Sequence, residues 1–165
     1  MTRTRPTNSR ILSISPSTEG FGFAVLERGE KLVDWGVKHV SRDKNEESLR
    51  KVEELIASYL PTQLVVEDCL VKECRRSPRI RTLIQEIVKL AEQKMVSVIS
   101  FPRAKVKAFL CPGGSFTKHD VAEVLAKRFP EELGLRLPPK RRPWKSEDSR
   151  MDIFDAVALA LAVFS

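Results

Sequence analysis

Between residues 10 and 27 apolar and polar positions alternate, and the alternation reverses across one turn. RILSIS runs into Pro-Ser-Thr-Glu-Gly, and FGFAVLE leads back. This predicts a strand over 10–15, a tight turn, and a second strand over 21–27. ERGEK, with Gly29, is a hairpin turn, and KLVDWGVKHV predicts a third strand over 31–40. The period then changes. ESLRKVEELIASYL places Leu49, Val52, Leu55, Ile56 and Tyr59 at helical spacing, and Pro61 stops that helix. QLVVED, over 63–68, is short and apolar, as a buried strand would be.

An arginine-rich segment follows, then a helix whose apolar stripe is Ile80, Leu83, Ile84, Ile87, Val88 and Ala91. VSVISF, over 96–101, predicts a fifth strand closed by Pro102. RAKVKAFL predicts a short helix, CPGGS a loop, and TKHDVAEVLAKRF a helix capped by Thr117 with Asp120 three residues on. The last helix is expected from about Ser149, with Ser149 as its cap. Three strands in a meander, then strands alternating with helices, predict an α/β fold: a mixed five-stranded sheet with helices on both faces. The 165 residues suit one domain over 10–165, preceded by a flexible basic arm over 1–9.

Charge adds a partner class to this picture. The formal net charge is +7, and the excess is clustered. VKECRRSPRIR carries Lys72, Arg75, Arg76, Arg79 and Arg81 against one acid, and LRLPPKRRPWK carries Arg136, Lys140, Arg141, Arg142 and Lys145 with none. Such clusters attract phosphate backbones and release their counterions, so nucleic acid is the expected partner. Trp144, inside the second cluster, either packs that loop onto the body or stacks on a base.

Other chemistries fit poorly. Cys69, Cys74 and Cys111 are an odd count, unlike a disulfide framework, and a reducing cytoplasm is expected. Cys69 is expected in the core and Cys74 as a loop thiol. With His119 their spacing is C-x4-C and C-x7-H, which matches no close zinc knuckle. CPGGSFTK lacks the Gly-Lys-Ser/Thr end of a phosphate loop. Nothing fixes a Ser-His-acid triad. No apolar run is long enough to span a membrane.

The informative acids are Glu67, Asp152 and Asp155. Glu67 ends an apolar strand, at the carboxyl edge where open α/β sheets bind ligands; an acid there is either solvated or faces a ligand. Asp155 lies in MDIFDAVALALAVF, which has no other polar side chain after Asp152. A buried carboxylate needs an arginine, a donor, a metal or an open edge. Asp152 lies on nearly the same helix face and also suits the helix's first turn. Converging carboxylates suit Mg²⁺ or Mn²⁺.

These residues carry a family resemblance. ILSISPSTEGFGFAVLE, PTQLVVED and MDIFDAVALALA, in that order, resemble the three acidic motifs of RuvC-type Holliday junction resolvases, within the ribonuclease H-like superfamily. Gly20 or Gly22 would serve the first motif's turn. FPRAKVKAFLCPGGSFTKHDV resembles the segment where the family has Val-Lys, a glycine loop and a lysine; Lys107 and Lys118 fall there. The resemblance spans nearly the whole chain. It implies Glu67, Asp152 and Asp155 as ligands of two divalent ions. One ion would activate water and the other would stabilise the leaving oxygen. Lys118 would be an electrostatic helper or a solvated lysine of a helix's first turn. It also implies branched DNA as substrate, roles in recombination and repair, and a two-fold homodimer.

The chain departs from that pattern at one decisive place. Where the family has the bridging aspartate there is Ser15, a neutral and weak ligand, and Pro-Gly is replaced by Pro16-Ser17. The aromatic residue three places after the family's glutamate is Leu70. Two readings follow. Either the chain binds branched or structured DNA, by Arg75, Arg76, Arg79, Lys107, Lys140, Arg141, Arg142 and Lys145, with cleavage weakened or lost. Or it is an active endonuclease with a rebuilt site, in which Glu19 or Asp68 supplies the missing carboxylate. An engineered change at Ser15 fits less well, because Ser17 departs too.

Overall fold

A computed structural model describes residues 9–27, 31–113 and 117–164. The basic arm (all but Ser9), the centre of the ERGEK turn and the end of the CPGGS loop lie outside the described residues. The five strands are β1 (Ile11–Ser17), β2 (Gly20–Glu27), β3 (Lys31–His39), β4 (Gln63–Glu67) and β5 (Ser97–Phe101). The helices are α1 (Lys44–Tyr59), α2 (Pro78–Gln93), α3 (Arg103–Leu110), α4 (Lys118–Arg128), α5 (Pro130–Leu133) and α6 (Met151–Ala162). A 3-10 turn over Gly134–Arg136 follows α5. The sheet order is β3-β2-β1-β4-β5. The first three strands pair antiparallel, and β4 pairs parallel with both β1 and β5. The expected mixed sheet is thus the observed one.

Strand periodicity divides the core into two layers. Leu12 and Ile14 of β1, with Leu64 and Val66 of β4, pack under α1 and α2 through Val52, Ile56, Leu83 and Ile87. Ile11 of β1 and Val65 of β4 face the other layer, built from α3, α4 and α6. Helix α6 lies at the centre of that layer and is buried at every position from Met151 to Ala162 except Asp155. Ser13, on the same face of β1, donates to the carbonyl of Ala156 at 2.5 Å and ties α6 to the sheet.

Two local expectations are corrected. Ser149 does not cap α6 with its side chain. The N-cap position is Arg150, and the Asp148 carboxylate accepts from the Arg150 backbone N–H at 2.9 Å. An aspartate two residues ahead satisfies that donor, so the serine is not needed. Cys69 and Cys74 are joined as a disulfide, with Cys111 buried and free. The tight loop after β4 brings their Cα atoms to 5.1 Å, so neither is an isolated core or loop thiol. The Thr117 cap is as expected: Thr117 Oγ1 accepts from the Asp120 N–H, and Asp120 accepts from the Thr117 N–H.

Candidate functional site

The site lies at the carboxyl ends of β1 and β4, under the N-terminal turns of α4 and α6. Two-residue alternation on β1 puts Ser15 on the same face as Ile11 and Ser13, toward α6. Ser13 pairs with Val65, and the same alternation on β4 brings Glu67 to that face. Both are buried, Ser15 at 2% and Glu67 at 8% exposure. Gly22, opposite Ser15 on β2, lets α6 descend onto the sheet. A Cβ there would lie 2.1 Å from the Asp152 carbonyl oxygen, so only glycine permits this approach. The glycine at the turn itself is Gly20, with φ +147°. The first motif therefore uses one glycine for the chain reversal and the other to seat the last motif.

Around these backbone positions Ser15, Glu67, Arg76, Arg103, Lys107, Lys118 and Asp155 line a cavity of about 40 Å³. That volume holds little more than water or one small polar group. Four of those residues are cationic and two are anionic, the opposite balance from a site built for dications. Glu67 Oε1 accepts from Arg76 Nε at 3.3 Å and Nη2 at 3.2 Å. Its other oxygen faces the cysteine sulfurs, at 3.4 Å and 3.6 Å. Arg76 also donates to the Pro16 carbonyl at 3.2 Å, spanning β1 and β4. Arg81 holds this loop from behind by donating to the carbonyls of Arg76 and Cys74.

A second acidic group stands across the cleft. Glu147, Asp152 and Asp155 each offer a carboxylate oxygen, and these lie within 4.8 Å of one another. Lys118 bridges two of them, reaching Asp155 Oδ2 at 2.9 Å and also pairing with Glu147. Asp152 is pushed up to about 6. Burial is the main cause and the charge of Asp155 adds to it, while a hydrogen bond with Ser17 and the charge of Lys118 oppose it. Ser17, Glu19, Arg76, Lys118, Glu147 and Asp152 line a larger open groove of about 340 Å³ beside the cavity.

The structure thus gathers Ser15, Glu67, Lys118 and the Asp152–Asp155 pair, which come from four separate sequence motifs. Asp68 and Glu19, the two acids considered as a further carboxylate, lie in different places. Asp68 accepts from the Leu70 N–H, and Glu19 lines the open groove with Asp152. Sequence reasoning missed Glu147, which sits in an exposed loop. The only available signal was its place five residues before Asp152.

Of the expected nucleic-acid contacts, Arg75, Lys140, Arg141, Arg142 and Lys145 are exposed. Lys107 lines the cavity. Arg76 and Arg79 turn inward, and Arg79 donates to the Ser17 carbonyl at 3.1 Å and to Asn45 at 3.0 Å. No described helix is long and apolar enough to cross a membrane.

The residues do not fit a pair of bridged divalent ions. Ser15 brings no charge, Arg76 engages Glu67, and Lys118 engages Asp155. Each cation lies where a metal-holding carboxylate would need its lone pairs.

Comparisons with known proteins place the architecture. No protein-family model and no curated protein sequence matches the chain. Among solved structures, Thermus thermophilus RuvC superposes with a TM-score of 0.65 and 21% identity, over 93% of this chain and 92% of that one. The T. thermophilus RuvC in complex with a Holliday junction substrate gives 0.60 and 20%, over 93% and 91%. The yeast mitochondrial Holliday junction resolvase Ydc2 gives 0.59 and 13%, over 98% and 79%. With the sheet order and the placement of α6, these likenesses show that the chain has the ribonuclease H-like fold of RuvC.

Proposed function

We propose that this chain is a RuvC-like protein that binds branched DNA, with metal-dependent phosphodiester cleavage weakened or lost. One observation carries the reading. At the position of the bridging aspartate stands Ser15, and the acids on either side of it are held by internal cations, Glu67 by Arg76 and Asp155 by Lys118. With Arg103 and Lys107 on the same cavity, the site suits an anion such as a backbone phosphate better than a dication. The exposed cations Arg75, Lys140, Arg141, Arg142 and Lys145 extend that field along the surface. A two-fold dimer on a four-way junction is part of the same proposal.

A second reading, an endonuclease with a rebuilt site, draws on the carboxylate group of Glu147, Asp152 and Asp155. There Mg²⁺ or Mn²⁺ would be held by these acids, and Lys118 would have to release two of them.

One experiment separates the two. A labelled four-way DNA junction is incubated with the protein in EDTA, Mg²⁺ and Mn²⁺, beside Ser15→Asp and Asp155→Asn variants. The binding reading expects equal affinity with and without metal, no cleavage by the unmodified chain, and affinity that falls steeply with salt. Replacing Arg75, Arg141 and Arg142 together by alanine is expected to weaken binding by at least tenfold. Cleavage by the unmodified chain that disappears in Asp155→Asn would establish the second reading. Failure to bind any DNA would sink both.

A further inference from the structure

The proposed function leaves Trp144 without a role, and its surroundings are unlike those of a packing residue. The ring is 73% exposed. Residues 139–147 form an exposed arch fixed at both ends. At one end Pro138 is buried, and its carbonyl lies 3.1 Å from the His119 ring Nε2. At the other, Asp148 is clamped by the Arg150 guanidinium at 2.8 Å and 3.0 Å. The tip is a turn closed by the Lys145 N–H on the Arg142 carbonyl at 3.0 Å. Pro143 sits at the turn's second position, where its fixed φ is favoured, and Trp144 occupies the third. The Arg142 guanidinium lies 5.7 Å from the Trp144 ring centroid.

Between Gly134 and Ser146 there is no acid, and Lys140, Arg141, Arg142 and Lys145 flank Trp144 along the chain. The far end of the arch, Ser146 to Ser149, is itself a wall of the 340 Å³ groove.

We propose that Trp144 is a stacking platform for an unpaired base, and that the arch holds a single-stranded nucleotide segment whose phosphates meet its lysines and arginines beside the carboxylate groove. The inference rests on the reading that nucleic acid is the ligand. It narrows that reading to the unpaired part of the ligand. An exposed indole offers a flat apolar face to any base, and the cations flanking it neutralise the phosphates on either side. In an intact duplex no base face is available to it.

The test uses the full chain with Trp35→Phe, which leaves Trp144 as the sole tryptophan and fluorophore of its kind. It is titrated with oligo(dT), with a fully paired duplex of the same length, and with a four-way junction. In parallel, binding of labelled forms of the same three DNAs is followed by anisotropy with the otherwise unmodified chain and its Trp144→Ala and Trp144→Phe variants. The expected result is quenching of Trp144 and its protection from acrylamide by oligo(dT) but not by duplex. Trp144→Ala should weaken oligo(dT) binding about tenfold, and Trp144→Phe no more than about threefold. The slope of affinity against salt should be unchanged, because the ring carries no charge.

Binding of oligo(dT) without quenching, or a Trp144→Ala loss equal for duplex and single strand, would overturn the platform and leave the binding reading standing. No anisotropy change with any of the three DNAs would remove both. The anisotropy arm keeps Trp35, so it gives its answer even if Trp35→Phe does not fold.

Discussion

The two walls of the cleft carry the same kinds of residue in different proportions. On the wall formed by β1, β4 and the loop into α2, one carboxylate, Glu67, meets one guanidinium, Arg76. The wall formed by α4 and α6 has three carboxylates, Glu147, Asp152 and Asp155, around one ammonium, Lys118. The first wall is neutral and largely sealed. The second has more carboxylates than cations, and burial, with a smaller push from the charge of Asp155, raises Asp152 to about 6. The neutral Ser15 thus lies between two unlike walls. One is closed by an internal ion pair, and the other gathers three carboxylates around one ammonium.

The largest effect should come from breaking the neutral wall. Arg76→Ala removes the cation paired with buried Glu67, and unfolding in urea is expected to show a loss of about 3 to 5 kcal/mol. Adding Glu67→Gln to that variant should recover much of it. If Arg76→Ala costs nothing, the first wall is not held by its ion pair.

Next is the contact that sets the distance between the walls. Gly22→Ala drives a Cβ into the Asp152 carbonyl, backbone against backbone, and is expected to cost about 2 to 3 kcal/mol by lifting α6 from the sheet. Because Asp152 and Asp155 move with α6, junction affinity measured by anisotropy should change as well.

The third prediction concerns the acidic wall and depends on pH. The folded-state pKa of Asp152 lies above its ordinary value of 3.8, at about 6, so the folded chain binds this proton more tightly than the unfolded chain. That contribution favours folding below about pH 4 and is lost as pH rises through 6. Ionised Asp152 then destabilises the fold by about 2 to 3 kcal/mol at pH 7. Asp152→Asn should therefore be more stable than the unmodified chain at pH 7. The advantage should shrink steadily between pH 6 and 4 in urea titrations. An advantage independent of pH would mean that burial, not charge, is what Asn relieves.

The smallest effect sharpens the contrast directly. Lys118→Met frees Asp155 and Glu147, and millimolar Mn²⁺ should then raise the melting temperature by an amount worth about 1 kcal/mol. In Arg76→Met, whose freed acid stands alone beside two sulfurs, the ion should do nothing. Equal stabilisation of both variants would erase the distinction between the walls.

Much of this was legible along the chain. The switch from two-residue to 3.6-residue periodicity placed all five strands and the main helices. The polarity of Asp155 in an otherwise apolar helix singled it out before any contact was known. Three kinds of residue were not legible. Arg76 read as one more cation in a basic run, but the loop after β4 doubles back and turns its guanidinium inward over Glu67. Glu147 gave no signal beyond its nearness to Asp152, because nothing local in the sequence ties it to α6 or α4. Cys69 and Cys74 read as unrelated thiols, since pairing depends on the loop's closure and not on the count.

By itself, then, the sequence determined which faces of which elements are apolar, and so the order of layers and the absence of a charge at Ser15. Periodicity and residue identity are local properties, and each residue carries them wherever it lies. Only the tertiary structure decided which cation neutralises which acid. A guanidinium or ammonium on a long side chain selects its partner by distance in space, and residues such as Lys118 and Asp155 become neighbours only when α6 settles onto Gly22.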